Sequence, residues 1–377
     1  MGDYFMTAYL ISCSDHYDHR LHVLDECLKS HGYSTVYITS DFDHTSKNKF
    51  KCNIPDSVQI SAMPYKKNLS LSRILSHRKF AKDVFEYIEN LKTAPDIIAA
   101  IVPPNFITYY GAKYKKKHPK CKLIFDIFDM WPETFPGGKI KKLLFPVFKI
   151  WAEIRNKNLN KADFVTTECE LFRSLLKLPD KKSQSVYLCK ERFVNKGKLS
   201  IPENQINLCY LGSINNIIGI EDICELIKRL SLKTKVELHI IGKGEKEEEF
   251  IASAKQAGAE VIFYGAVYDD DKKQDIINKC HYGLNIMKSS VCIGLTMKSI
   301  DYFRHGIPII NNIPADTQNL VESEKIGIQL NENTSANILS ISNQENIQMR
   351  QQVDKVFAEK FEKTVVLKQY DDIFSKL

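Results

Sequence analysis

The sequence predicts an α/β protein built from two doubly wound parallel-sheet domains. Three observations carry that prediction. At 377 residues the chain is long enough for two domains, each able to bury its own core. Short apolar strands alternate with helical patterns in two successive series, as parallel sheets with crossover helices require. Between the series, Lys181–Asn204 is polar and charged and holds Gly197 and Pro202, so it reads as the interdomain linker.

In the first series, Thr7–Ser12, Ser34–Thr39, Asp96–Val102, Lys122–Phe128 and Phe164–Thr167 read as strands. His22–Ser30, Leu71–Leu91, Ile107–Lys117, Phe145–Asn158 and Glu170–Leu176 read as helices. The second series runs Gln205–Tyr210, Glu221–Leu230, Val236–Ile241, Glu245–Ala257, Val261–Tyr264, Lys272–Asn278 and Gly283–Ile286. From about Glu345 the pattern is helical to Leu377. The expected domains are 1–190 and 200–345, followed by helices over 346–377.

Composition is that of an ordinary globular protein. No stretch approaches the roughly 20 apolar residues of a membrane-spanning helix, and MGDYFMTAYLISC does not read as a secretory signal. Ten cysteines are scattered without a C-x-x-C pair, which points to reduced thiols in a cytoplasmic protein. Charge is uneven: residues 1–195 carry 31 Lys+Arg against 21 Asp+Glu, a balance of +10, and the remainder a balance of −3. A basic first half suits nucleic acid, an anionic membrane surface or a pyrophosphate-bearing substrate.

The densest stretch is Gly294–Asn312, GLTMKSIDYFRHGIPIINN. Gly294 permits a tight turn, and a helix follows with Met297, Ile300 and Phe303 on one face. Lys298 and Asp301, three apart, share a side of that helix. Gly306 ends it, and Ile307–Ile310 reads as a buried strand. Backbone amides at the helix N-terminus and Lys298 form a cradle for the diphosphate of a sugar nucleotide, with Asp301 placed for hydroxyl groups.

Other loops carry glycines that would permit a close backbone approach. Gly212 and Gly219 sit in LGSINNIIGIED, Gly242 and Gly244 in HIIGKGEKEEE, and Tyr264 and Gly265 in VIFYGAVYDDD. Lys288 closes GLNIMK and offers a second cation. In the first half, FDIFDMWPETFP places Asp126 and Asp129 at a strand end, followed by Trp131 and Glu133. SCSDHYDHRL places His16, His19 and Arg20 after the first strand.

The 294–312 stretch resembles the donor-binding signature of family-4 glycosyltransferases, which have the two-domain GT-B fold. The usual form is E-x7-E, with the second Glu five residues before a Gly-x-Pro turn. Asp301 stands at the second acidic position, and the first falls on Ile293. The variant Gly-Leu-x-x-Lys-x-x-acidic fits as Gly294, Leu295, Lys298 and Asp301. Asp129, Trp131, Pro132 and Glu133 resemble the D-x-W-P-E/D segment of transferases that build bacterial capsular polysaccharide and exopolysaccharide, with Phe128 where many relatives have His. The loop after Gly212 departs from the family: Ser213 and Ile218 replace its usual basic residues.

The resemblance implies two Rossmann-like domains facing a cleft, with the C-terminal helices crossing back to the first. It implies a retaining transfer from a nucleotide diphosphate sugar, expected to be a UDP-sugar, to a lipid-pyrophosphate-linked saccharide. Catalytic roles then fall on Asp129, Asp126 and Lys298. Donor contacts fall on Gly212, Gly219, Gly242, Gly244, Tyr264, Gly265, Lys288, Gly294, Leu295, Thr296 and Asp301. Acceptor contacts fall on His16, His19, Arg20, Trp131 and Glu133. No metal, other cofactor or nucleic acid is expected, and the chain would work in the cytoplasm at the inner membrane surface. A non-catalytic partner subunit of a transferase pair and a sugar-nucleotide epimerase of the same fold are the alternatives.

Overall fold

A computed structural model describes residues 6–14, 18–68, 70–135, 145–194 and 196–377, with the backbone alone at Asp18 and His19. The chain divides into two compact units, 1–187 with 366–377, and 188–365.

In the first unit the strands are β1 (Thr7–Ile11), β2 (Ser34–Ser40), β3 (Val58–Ile60), β4 (Ile97–Val102), β5 (Lys122–Ile127), β6 (Phe164–Thr167) and β7 (Ser183–Ser185). They pair in parallel in the order β3-β2-β1-β4-β5-β6-β7. Every residue of IIAAIV in β4 is buried, as expected of a central strand covered on both faces. The helices are α1 (Asp18–Ser30), α2 (Leu71–Glu89), α3 (Phe106–Lys117), α4 (Phe145–Leu159) and α5 (Glu170–Leu175). The Ser70 side chain caps α2 by accepting the Arg73 N–H.

The second unit repeats the plan. Strands β8 (Gln205–Leu211), β9 (Lys235–Ile241), β10 (Ala259–Gly265), β11 (Tyr282–Asn285), β12 (Ile309–Asn311) and β13 (Gly327–Gln329) pair in parallel in the order β10-β9-β8-β11-β12-β13. Its helices are α6 (Ile220–Ser231), α7 (Glu247–Gln256), α8 (Asp270–Ile277), α9 (Met297–Arg304), α10 (Asp316–Glu324), α11 (Thr334–Ser340) and α12 (Asn343–Lys360). The last helix, α13 (Lys363–Phe374), lies mostly in the first unit. On α6 the residues Ile220, Ile223, Ile227 and Leu230 recur at helical spacing and are buried in the core against β8 and β9. Burying each stabilises the unit by roughly 1.5–3 kcal/mol.

In both sheets the first strand neighbours the fourth and the order reverses there. Ligands of doubly wound sheets bind outside the carboxyl ends of the strands at such a switch point. These are the ends of β1 and β4 in the first unit, and of β8 and β11 in the second.

Three short strands, β3, β7 and β13, lie outside the predicted series. Each has three residues, too few for a period of two to register. Ser183–Ser185 falls in the stretch read as linker, and the units divide just after it, between Tyr187 and Leu188. The C-terminal tail is two helices. A capping box at Ser342 and Glu345 opens α12, which stays with the second unit.

Candidate functional site

The second unit presents three glycine turns side by side at its strand ends. Gly212 follows β8, Gly242 follows β9 and Gly265 closes β10, with φ of 118°, 156° and 69°. The Gly212 N–H donates to Ile241 O (2.9 Å), and the Gly242 N–H to Gly265 O (2.8 Å). A Cβ on Gly242 would lie 1.9 Å from Gly212 O, and one on Gly244 2.2 Å from Ile214 O. Glycine is fixed at 242 and 244 by backbone packing between loops, which keeps side chains out of the site. Gly219 opens α6, where a Cβ would press on Ile286 at 3.0 Å.

Helix α9 begins beside these turns. Thr296 caps it by accepting the Ser299 N–H (2.9 Å) and donates to Asn285 Oδ1 (3.1 Å). Asn285 in turn donates to Asn311 (2.7 Å), so a buried polar network pins the start of the helix. The Gly294 carbonyl accepts both the N–H (2.9 Å) and the hydroxyl (2.7 Å) of Thr317, and the Leu295 side chain is buried. The side chains of Leu295 and Thr296 therefore build the turn, and only the backbone of this stretch is left to face a ligand.

Lys298 is half-buried one residue into α9. Its Nζ lies 4.0 Å from the centroid of the Tyr210 ring, and its Cε would sit 3.4 Å from a Cβ on Gly212. No carboxylate pairs with it among the described residues. Burial without a counter-charge pushes its ammonium down to about 7. Asp301, one turn on, is not an open carboxylate: it pairs with Lys190 Nζ at 2.5 Å. Lys190 lies in the stretch read as linker, and nothing in its local sequence marks it. Lys288 is exposed three residues beyond β11, and its N–H donates to Ile217 O (2.9 Å). The Tyr264 hydroxyl bonds His239 Nδ1 (2.9 Å) and the two rings stack, so this side chain is held on the sheet.

In the first unit the expected catalytic and acceptor residues separate into distinct jobs. Arg20 and Asp126, 4% and 3% exposed, form a bidentate pair at 2.5 and 2.9 Å. Thr166 also donates to Asp126 (2.9 Å), and Arg20 to Val186 O (2.6 Å). This pair ties α1 to β5 and β6 and presents no free group. Asp129 accepts from Trp131 Nε1 (2.6 Å) and Thr134 Oγ1 (2.6 Å), while burial raises its carboxyl above the usual range. Glu133 forks onto the fully buried Arg155 at 2.6 and 3.1 Å. Trp131 is buried, stacked on His77 with centroids 5.5 Å apart. His16 lies outside the described residues, as does the side chain of His19.

Arg73 and His77 belong beside Trp131 but carried no motif. Their signal is a polar intrusion on an apolar stripe: Arg73, Ser76, His77 and Phe80 share the buried face of α2. Among the described residues one set of metal-ligand types, Cys27, His31 and Asp371, lies within 4.8 Å; its members are hydrogen-bonded to each other. No helix among the described residues is long and apolar enough to cross a membrane.

A family model described as Glycosyl transferases group 1 matches residues 205–340, which span all six strands of the second unit's sheet, the glycine turns and α9. No curated protein matches. Among solved structures, the apo form of the lipopolysaccharide outer core galactosyltransferase WaaB superposes with a TM-score of 0.70 at 16% identity, covering 99% of this chain and 100% of the other. HepE of Anabaena in complex with UDP and glucose gives 0.65 at 15%, with the same coverage. WaaG, a glycosyltransferase involved in lipopolysaccharide biosynthesis, gives 0.61 at 12%, covering 98% and 99%. The chain thus has the GT-B fold of two doubly wound units.

Proposed function

We propose that this protein is a glycosyltransferase that moves a sugar from a nucleotide diphosphate sugar, with UDP as the nucleotide, to a saccharide acceptor. The observation that carries the reading is Lys298: a lysine with no carboxylate partner among the described residues, at a glycine turn beside the switch point, inside the stretch matched by the group 1 model. An unpaired ammonium there suits a diphosphate whose charge grows as the sugar departs. The amides of Met297 and Lys298, ahead of the capped Ser299 N–H, add donors at the start of α9.

In the retaining route we favour, the bond from the anomeric carbon to the diphosphate breaks. The acceptor hydroxyl forms its bond on the same face, and its proton passes to the leaving phosphate oxygen. HepE is described with UDP and with glucose, which supports a UDP-sugar here. The acceptor we favour is carried on a lipid pyrophosphate in surface polysaccharide assembly. Helix α4 supports this, because it exposes Phe145, Val147 and Ile150 beside Lys149 and Lys157, the composition of a bilayer-surface helix.

One observation favours a second reading. Ser213 and Ile218 leave the loop after β8 without cations, as a non-catalytic partner subunit would tolerate. An epimerase gains no support: His239, His281 and His305 are buried, and burial lowers each imidazole's affinity for protons. Incubation of the purified chain with a panel of UDP-sugars and membrane extract, followed by assay of released UDP, separates enzyme from subunit. Release that depends on acceptor supports the transferase; none with any sugar or extract sinks it.

A further inference from the structure

The first unit holds a second buried cation, Arg73, with no ion pair among the described residues. Arg73 is 4% exposed and lines a crevice with Ser14, Ser40, His44, Tyr65 and His77 at the ends of β1 and β2. Its guanidinium carbon lies 3.9 Å from the Trp131 ring centroid and 5.6 Å from that of Tyr65. One nitrogen donates to Asn68 O (3.1 Å), while Nε is buried with no partner. No carboxylate pairs with Arg73 among the described residues. Asp129 feels the Arg73 charge without pairing with it, its oxygens accepting from the Trp131 indole and Thr134.

Burying a guanidinium with an unused N–H is costly unless an anion completes it. The surroundings add one further cation, Lys47, with Asp43 and Asp129 acting on the cluster from outside the crevice lining. Lys47 Nζ lies 5.0 Å from the Tyr65 centroid and donates to His44 O and Asn68 Oδ1. His77, buried against Trp131, has an unpaired Nδ1. Burial, helped by Arg73, depresses the basicity of both Lys47 and His77. The two aromatic rings hold the guanidinium plane, so its Nε edge forms a fixed fork. Forks of this kind match carboxylate and phosphate oxygens.

We propose that this crevice binds an oxyanion, a phosphate or carboxylate group of the acceptor, with Arg73 as its main ligand and Lys47 at the rim. Naming the ligand as the acceptor rests on the transferase reading; oxyanion binding does not. The acceptor is then an anionic saccharide, recognised at its charged group while its hydroxyl is presented elsewhere.

Trp131, stacked under Arg73, reports occupancy. In a Trp151→Phe background it is the sole tryptophan, and its emission is followed while inorganic phosphate or acetate is added. The expected result is a saturable response to at least one ion, weakened about tenfold or more by Arg73→Met and unchanged by Lys298→Met. A response to phosphate alone makes the acceptor a phosphate ester; one to acetate alone makes it a uronic-type sugar. A response lost with Lys298→Met but kept with Arg73→Met overturns the proposal, as does no saturable response up to tens of millimolar. Should Arg73→Met fail to fold, Arg73→Lys and Lys47→Met take its place, and full binding by both is equally fatal. UDP release is measured separately, so a chain that releases UDP but ignores both ions loses only this pocket.

Discussion

The ammonium of Lys298 rests 4.0 Å from the centroid of the Tyr210 ring, whose own hydroxyl donates to Ser213 O at 2.7 Å. The ring supplies a weak π partner in place of an anion. With its proton lost near pH 7 in the ligand-free state, Lys298 should regain it when a diphosphate arrives. A UDP-sugar should therefore bind with constant affinity below about pH 7 and more weakly above it, with proton uptake visible as a buffer-dependent enthalpy by calorimetry. Lys298→Met should abolish that dependence. The unfolded lysine keeps its proton to about 10.4, so between the two values the unfolded state binds more protons and stability rises with pH. Lys298→Met should accordingly raise the melting temperature at pH 7 and do little at pH 10.

Asp301 and Lys190 should act as one unit on the donor. Each is about a quarter to a third exposed, so their coupling is modest, about 1 kcal/mol. Asp301→Ala and Lys190→Ala should each weaken UDP-sugar binding, and the double variant should lose less than their sum. Strict additivity in a calorimetric double-mutant cycle would mean that the pair does not hold the donor together.

Asp126 and Asp129 stand three apart at one strand end and should respond differently. Removing one member of the buried Arg20–Asp126 pair strands a charge, so Asp126→Asn or Arg20→Met should cost about 3–5 kcal/mol in urea unfolding. Asp129→Asn should cost only about 1–2 kcal/mol, preserve donor affinity and slow transfer by loosening Trp131. Equal loss of donor affinity and transfer would give Asp129 a purely structural role.

Helix α4 should bind anionic vesicles in a salt-sensitive way and neutral ones little. Lysines near such a surface contribute about 1 kcal/mol each. Lys149→Glu with Lys157→Glu should reduce co-sedimentation without changing donor affinity. Equal binding to both lipids, or to neither, would point to a soluble acceptor.

The sequence made the two sheets legible because their central strands are continuous apolar runs: IIAAIV is buried at every position. The α9 cradle was legible because turn, cap and cation fall within a few residues. What escaped reading was pairing at a distance. Arg20 looked like a ligand of the strand end, but its partner lies 106 residues away at Asp126. Asp301 looked open until Lys190, 111 residues earlier, closed on it. Arg73 carries no motif, and only its depth on α2 makes the unpartnered Nε visible. Burial and long-range electrostatics are set by tertiary packing, which local periodicity does not encode.

Because residues 366–377 belong with 1–187, the second unit is topologically an insertion within the first. Val366, Tyr370 and Ile373 of α13 are buried, and Asp371 meets Cys27 and His31 on the first unit. On a ribosome the second unit can complete its core as soon as 188–365 has emerged. The first must wait for residues 366–377, holding an uncovered apolar seat until they emerge. A nonsense codon just before Val366 would thus damage the unit made first.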